Sequence, residues 1–128
     1  MLAADDNPTN QKVIEAVLAP LGAEVTMVPD GAACVEAWKA AKFDIILMDI
    51  HMPVMDGVEA ARAIRALETQ EGRTRTPIVA VTANALAHQV EDYLAAGMEG
   101  HVAKPVEVSK LYGAIEDAIA SARMAKAA

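Results

Sequence analysis

The sequence predicts an α/β fold, a doubly wound sandwich with helices on both faces of a parallel sheet. Two observations carry that expectation. Residues 43–49 (Phe43-Asp44-Ile45-Ile46-Leu47-Met48-Asp49) and 77–82 are near-continuous apolar runs, too short for a membrane span and about right for strands buried on both faces. These and three further short runs alternate with amphipathic stretches, so strand followed by helix occurs five times. Each of the two runs ends on a polar residue, Asp49 and Thr82. Such termini lie where open α/β sheets place their reactive groups.

Met1 to Ala4 is a short apolar first strand. Asp6 or Asn7 can cap a helix that has Pro8 in its first turn, with Val13, Ile14, Val17, Leu18 and Leu21 at helical spacing. A second strand is expected over 23–28, and a helix capped by Asp30 through Ala32, Val35, Trp38 and Lys39. After the strand over 43–49, a loop with Pro53 leads to a helix starting near Asp56-Gly57 and carrying Val58, Ala61, Ile64 and Leu67. The polar stretch 69–76 reads as a surface loop, and Arg62, Arg65, Arg73 and Arg75 as a solvated basic cluster. The strand ending on Thr82 precedes a helix through Leu86, Val90, Tyr93 and Leu94 that stops at Gly97. A short strand, Gly100 to Ala103, ends on Lys104-Pro105. The last helix has Val108, Leu111, Tyr112, Ile115, Ala118 and Ile119 on one stripe, and residues 122–128 are expected to be a flexible tail. Without repeats or linkers, residues 1–128 are expected to form one domain.

Composition narrows the function. A net charge of −7 argues against a nucleic-acid surface, which needs clustered Lys and Arg. Aromatics make up 3% of the chain against 28 alanines, so the core is aliphatic and closely packed. A single cysteine, Cys34, excludes an internal disulfide; within an apolar helical pattern it is expected to be buried filler. No secretory signal or membrane segment is visible, so a cytoplasmic location is expected, though a parent protein could be membrane-anchored. There is no phosphate-cradling Gly-rich loop and no room for an ATP domain, so this chain holds no kinase.

In a parallel sheet all C-terminal strand ends share one edge. That edge gathers Asp5, Asp6, Asp49, Thr82 and Lys104 from distant parts of the chain. Three clustered carboxylates repel unless a cation joins them, and oxygen donors with room for water and phosphate suit Mg²⁺. Lys104 can pair with a phosphoryl oxygen and Thr82 can give it a hydrogen bond. The chemistry implied is phosphoryl transfer with a carboxylate as nucleophile.

Asp5-Asp6, Asp49 with Met52-Pro53-x-Met55-Asp56-Gly57, Thr82-Ala83 and Lys104-Pro105 together resemble the response-regulator receiver domain of two-component signalling. The resemblance covers nearly the whole chain, and the motifs occur in order. It implies a flavodoxin-like five-stranded parallel sheet of order 2-1-3-4-5 with five helices. It implies Asp49 as phosphoacceptor, and Mg²⁺ held by Asp5, Asp6, Asp49 and the main-chain carbonyl of His51. Thr82 is implied as the switch hydroxyl, Lys104 as the phosphate partner, and the bond to Pro105 as cis. His51 and Asn84 occupy positions that tune acyl-phosphate hydrolysis. His101 stands where the family usually has Tyr or Phe, the ring that moves inward when the switch hydroxyl binds phosphate.

The wording Asp5-Asp6-Asn7-Pro8-Thr9-Asn10-Gln11 and Thr82-Ala83-Asn84-Ala85 is most similar to receivers of hybrid histidine kinases. The resemblance implies a histidine kinase or histidine phosphotransfer domain as partner, docking near the first helix, which is expected to expose Thr9, Gln11, Lys12 and Glu15. A monomer or weak dimer is expected. A stand-alone regulator is the alternative, but the short first strand suggests a piece of a longer protein. An aspartate-nucleophile phosphatase is disfavoured, because it needs an acid two residues after the nucleophile and His51 is there. A degenerate binding module is disfavoured by the complete set of five residues.

Overall fold

Five parallel strands form one sheet in the order β2-β1-β3-β4-β5, with β1 Leu2–Ala4, β2 Thr26–Val28, β3 Ile46–Asp49, β4 Ile78–Thr82 and β5 Gly100–Ala103. Helices α1 Pro8–Leu18, α2 Gly31–Ala40, α3 Gly57–Glu71, α4 Ala87–Ala95 and α5 Val108–Ala127 alternate with them. This is the expected flavodoxin-like architecture. The computed structural model describes residues 1–22, 24–50, 52, 54–73, 75–83, 87–104 and 107–127, with 87–89 and 122–127 through their backbone alone.

Period-2 alternation along the strands divides the core into two layers. Leu2, Ala4, Ile46, Met48, Ile78 and Ala80 face Cys34, Trp38, Ile64 and Tyr93. Ala3, Leu47, Val79, Val81 and Val102 face Ile14, Leu18, Leu111 and Ile115. Every residue of β1, β3 and β4 is buried, as expected of strands covered on both faces. Burial also pushes the Cys34 thiol up to about 12, with the nearby Asp30 carboxylate adding to the effect. Cys34 is therefore filler, not a nucleophile.

The helix starts follow the side chains that satisfy their free N–H groups. Asn7 caps α1, its Oδ1 accepting from Thr9 N at 2.8 Å. Asp30 and Asp56 each accept one bond of 2.8 Å, from Ala33 N and Glu59 N, as capping acids. Two helix starts also need glycine. A Cβ on Gly31 would lie 2.3 Å from the Met55 carbonyl oxygen, and one on Gly57 would lie 2.3 Å from that of Asp49. The close approach at Gly57 presses the start of α3 onto the end of β3.

Several expected boundaries shift. The ladder of β3 begins at Ile46, not Phe43, and that of β2 at Thr26, not Ala23. Ile45 is buried and its carbonyl accepts from Leu2 N at 3.1 Å, so the apolar run is longer than its paired part. Helix α3 runs three residues into the expected loop before Gly72 ends it in the left-handed region. Val13, Leu21, Leu94 and Val108 are exposed. The buried stripe of α1 is Ile14 and Leu18, one residue away from Val13. Helix α5 is helical through Ala127 and includes the stretch expected as a tail.

The largest correction concerns the arginines. Arg65 is nearly buried, its Nη1 donating to both Glu68 oxygens at 2.8 and 3.0 Å and its Nη2 to both Glu99 oxygens at 2.9 Å. It also donates to the carbonyls of Gly97 and Thr76. Arg75 pairs with Glu99 at 2.7 Å, and Arg73 lies over the Trp38 ring at 3.8 Å. Helical phase explains the error, because α3 turns Arg65 towards the strand entrances while Arg62 faces solvent.

Candidate phosphoryl-transfer site

Register brings the site together. Ala4 pairs with Met48, so Asp5 emerges beside Asp49; Thr82 pairs with Ala103, so Lys104 emerges one row further. Neighbouring strands lie about 4.8 Å apart, which puts side chains from sequence-distant positions within reach. One ligand oxygen from each of Asp5, Asp6 and Asp49 lies within 4.8 Å of the others. The Lys104 ammonium sits 3.2 Å from Asp49 Oδ2 and 3.5 Å from Asp5 Oδ2.

The three acids are not equivalent. Asp5 is 0% exposed and Asp49 3%, whereas Asp6 is exposed. Asp5 Oδ1 accepts from Asn7 N at 2.9 Å, coupling this acid to the cap of α1. The Gln11 side chain donates to the Asp5 carbonyl at 2.6 Å, so Gln11 is half-buried and occupied rather than displayed. Thr9, Lys12 and Glu15 are exposed as expected.

A hard divalent cation fits this donor set. Among the described residues, Asp5 Oδ2 is the buried side-chain oxygen that takes no hydrogen bond. A buried carboxylate oxygen left so is costly unless a charge meets it. Lys104 meets it partly at 3.5 Å, with one ammonium shared between two carboxylates. Oxygen-only donors, two buried and one open to water, match the preference for a few carboxylates plus solvent.

Thr82 is 0% exposed at the end of β4, and its Oγ1 lies 3.2 Å from the hydroxyl of Tyr93 on α4. The sequence reading took Tyr93 as packing alone. Its ring does pack, but its hydroxyl reaches the site, and nothing in a helical stripe marks which tyrosine does so. His101 is exposed on β5, next to Ala80 in register, while Val102 turns into the core. Met48 and Met52 are buried and Met55 is packed against the core, so all three fill space. His51, Asn84 and Pro105, with the expected cis bond, lie outside the described residues.

The fold and this constellation define a receiver. Residues 1–116 match the family model of the response regulator receiver domain, and the chain belongs to that family. It is 45% identical over 112 residues to the signal transduction histidine-protein kinase BarA of Escherichia coli strain K12, covering 88% of this chain and 12% of that protein. The chain thus spans about an eighth of the length of such curated relatives. The receiver domain of a sensor histidine kinase from Pseudomonas aeruginosa PAO1, crystallised with a magnesium ion in its active site cleft, is 44% identical, with a TM-score of 0.82 and 93% and 95% of the two chains covered. A chain of the Saccharomyces cerevisiae complex of the histidine phosphotransfer protein Ypd1 with the Ssk1 receiver domain is 30% identical, with a TM-score of 0.84 and coverage of 89% and 83%.

Proposed function

We propose that this chain is the receiver module of a hybrid sensor kinase, taking a phosphoryl group from a phosphohistidine onto Asp49. The observation that carries the reading is the buried pair Asp5 and Asp49 sharing the Lys104 ammonium at 3.5 and 3.2 Å. In the transfer an Asp49 carboxylate oxygen attacks phosphorus and the P–N bond breaks. Its electron pair stays on the imidazole, leaving an aspartyl phosphate. Lys104 holds a phosphoryl oxygen as negative charge shifts onto the group. Thr82 gives a hydrogen bond to another, and Asp5 is fixed for its part by Asn7 N and Gln11.

Asp5, Asp6 and Asp49, with the main-chain carbonyl of His51, would hold Mg²⁺, which offsets carboxylate repulsion and draws phosphoryl oxygens into line. The partners fitting this chemistry are a histidine kinase or a histidine phosphotransfer domain; a protein of the second kind, Ypd1, is crystallised with the Ssk1 receiver. Residues 1–128 act as one domain, monomeric or weakly dimeric, on the cytoplasmic side of any parent protein. Among the described residues no helix is long and apolar enough to cross a membrane.

The test is Mg²⁺-dependent labelling by a small phosphodonor, followed by intact mass. The wild-type chain gains one acid-stable, base-labile phosphoryl group, and Asp49→Asn gains none. Labelling that survives Asp49→Asn, or that ignores Mg²⁺, refutes the assignment.

A further inference from the structure

We infer that Gly31, at the start of α2, positions the loop between β3 and α3 and so sets the preference of the site for Mg²⁺ over a larger cation. This deepens the reading above and rests on Asp49 and the backbone just after it holding that ion.

The loop, residues 50–56, leaves Asp49 and returns to α3 beside it. One bond closes its base: Gly57 N donates to the Ile50 carbonyl at 2.9 Å. A second reaches it from a distant part of the chain, with Gly31 N donating to the Met55 carbonyl at 3.1 Å. The first N–H groups of a helix have no partner within it. In α2 the Asp30 carboxylate takes Ala33 N, and the Gly31 N–H goes to the loop. The two backbones also touch. A Cβ on Gly31 would lie 2.3 Å from the Met55 carbonyl oxygen and 3.0 Å from that of Asp56, main-chain atoms that no rotamer change can clear. Val54, just before the accepting residue, holds φ at 69°, which a β-branched residue keeps only where its surroundings enforce it. Among the described residues, the enforcing groups are the bonds at Ile50 and Met55 and the packing of Met52 and Met55.

Helix α2 supplies none of the three clustered acids, yet its first residue fixes the far end of the loop that begins at the phosphoacceptor. That matters most for a small, hard ion. Mg²⁺ demands near-octahedral geometry with oxygens at about 2.0–2.1 Å, whereas Ca²⁺ accepts flexible arrangements at about 2.3–2.6 Å. A loop free to drift therefore loses the smaller ion first. Gly31 is a positioning residue that acts through the Met55 carbonyl.

The experiment uses the whole chain and the two ions alone. Titration calorimetry of Gly31→Ala should show Mg²⁺ affinity lowered about tenfold, and Ca²⁺ affinity changed by less than about threefold. A general loss of stability would not separate the two ions in the folded chain. Gly113→Ala on α5, where a Cβ meets nothing within 4 Å, should leave both affinities in place. The unaltered chain gives a second reading that does not depend on the variant folding. By linkage, Mg²⁺ binding that relies on the Gly31 bond must in turn tighten it, so saturating Mg²⁺ should slow amide exchange at Gly31 by about tenfold. Ala33 N, bonded to Asp30 in the same turn, is the control and should not follow. Equal losses for the two ions, no loss, or a Gly31 amide indifferent to Mg²⁺ overturns this inference alone. A wild-type chain that binds no Mg²⁺ overturns the proposed function and this inference with it.

Discussion

The two ends of the sheet both bury charge, and they treat it in opposite ways. At the strand entrances Arg65 turns one guanidinium nitrogen to Glu68 and another to Glu99, and these carboxylates also accept from Thr76 N and Ile78 N at 2.6 Å each. Opposite charges meet directly, and both carboxylates accept a backbone N–H as well. At the strand exits Asp5, Asp6 and Asp49 crowd together with Lys104, and a buried Asp5 oxygen takes no hydrogen bond among the described residues. One end is built to be closed by its own side chains. The other is built to be completed by a cation and a phosphoryl group. The difference teaches that burial of charge is no sign of function by itself; the informative feature is what the buried charge lacks.

Breaking the satisfied end should have the largest effect. Arg65→Ala leaves two nearly buried glutamates without their counter-charge and should lower unfolding free energy by about 3–5 kcal/mol in chemical denaturation. A loss under about 1 kcal/mol would show that the network is solvent-screened after all.

The unsatisfied end should respond differently to removal of a charge. Asp5→Asn keeps an Oδ1 acceptor for Asn7 N while removing a carboxylate charge. Stability without cation should stay within about 1 kcal/mol of the parent, because lost repulsion from Asp49 offsets lost attraction to Lys104. Divalent-cation affinity, measured by titration calorimetry, should fall by about tenfold or more, since one unit charge near a cation is worth several kcal/mol. A large destabilisation with unchanged affinity would reverse the contrast between the ends.

The smallest effect sharpens the same contrast through the backbone. Val54, in the loop between β3 and α3, is 83% exposed and holds φ at 69°, in the left-handed region that a β-branched residue avoids. That conformation costs roughly 1–2 kcal/mol. Val54→Asn should therefore raise thermal stability by about 1 kcal/mol and leave Arg65 and its partners undisturbed. An unchanged or lower melting temperature would mean that the loop carries no releasable strain.

The sequence by itself determined the alternation of strands and helices, the parallel sheet and the acids at its exits. These follow from local periodicity and from a topological rule: strands joined by helical crossovers point the same way, so their ends meet. Asp5, Asp49, Thr82 and Lys104 were legible for that reason, although they are far apart along the chain. The capping acids Asp30 and Asp56 were legible because a cap acts within a few residues.

Only the tertiary structure decided which charges would be satisfied. Arg65 read as part of a solvated basic cluster, since only the phase of α3 sets its burial against Glu68 and Glu99. Gln11 read as an exposed docking residue until its amide was placed on the Asp5 carbonyl. Tyr93 read as one more apolar position, because a helical stripe records that a ring is buried but not what its hydroxyl meets. Patterns of hydropathy encode the face that a side chain turns inward. Which polar atom it finds there depends on register, helix phase and distance, and those exist only once the layers have packed.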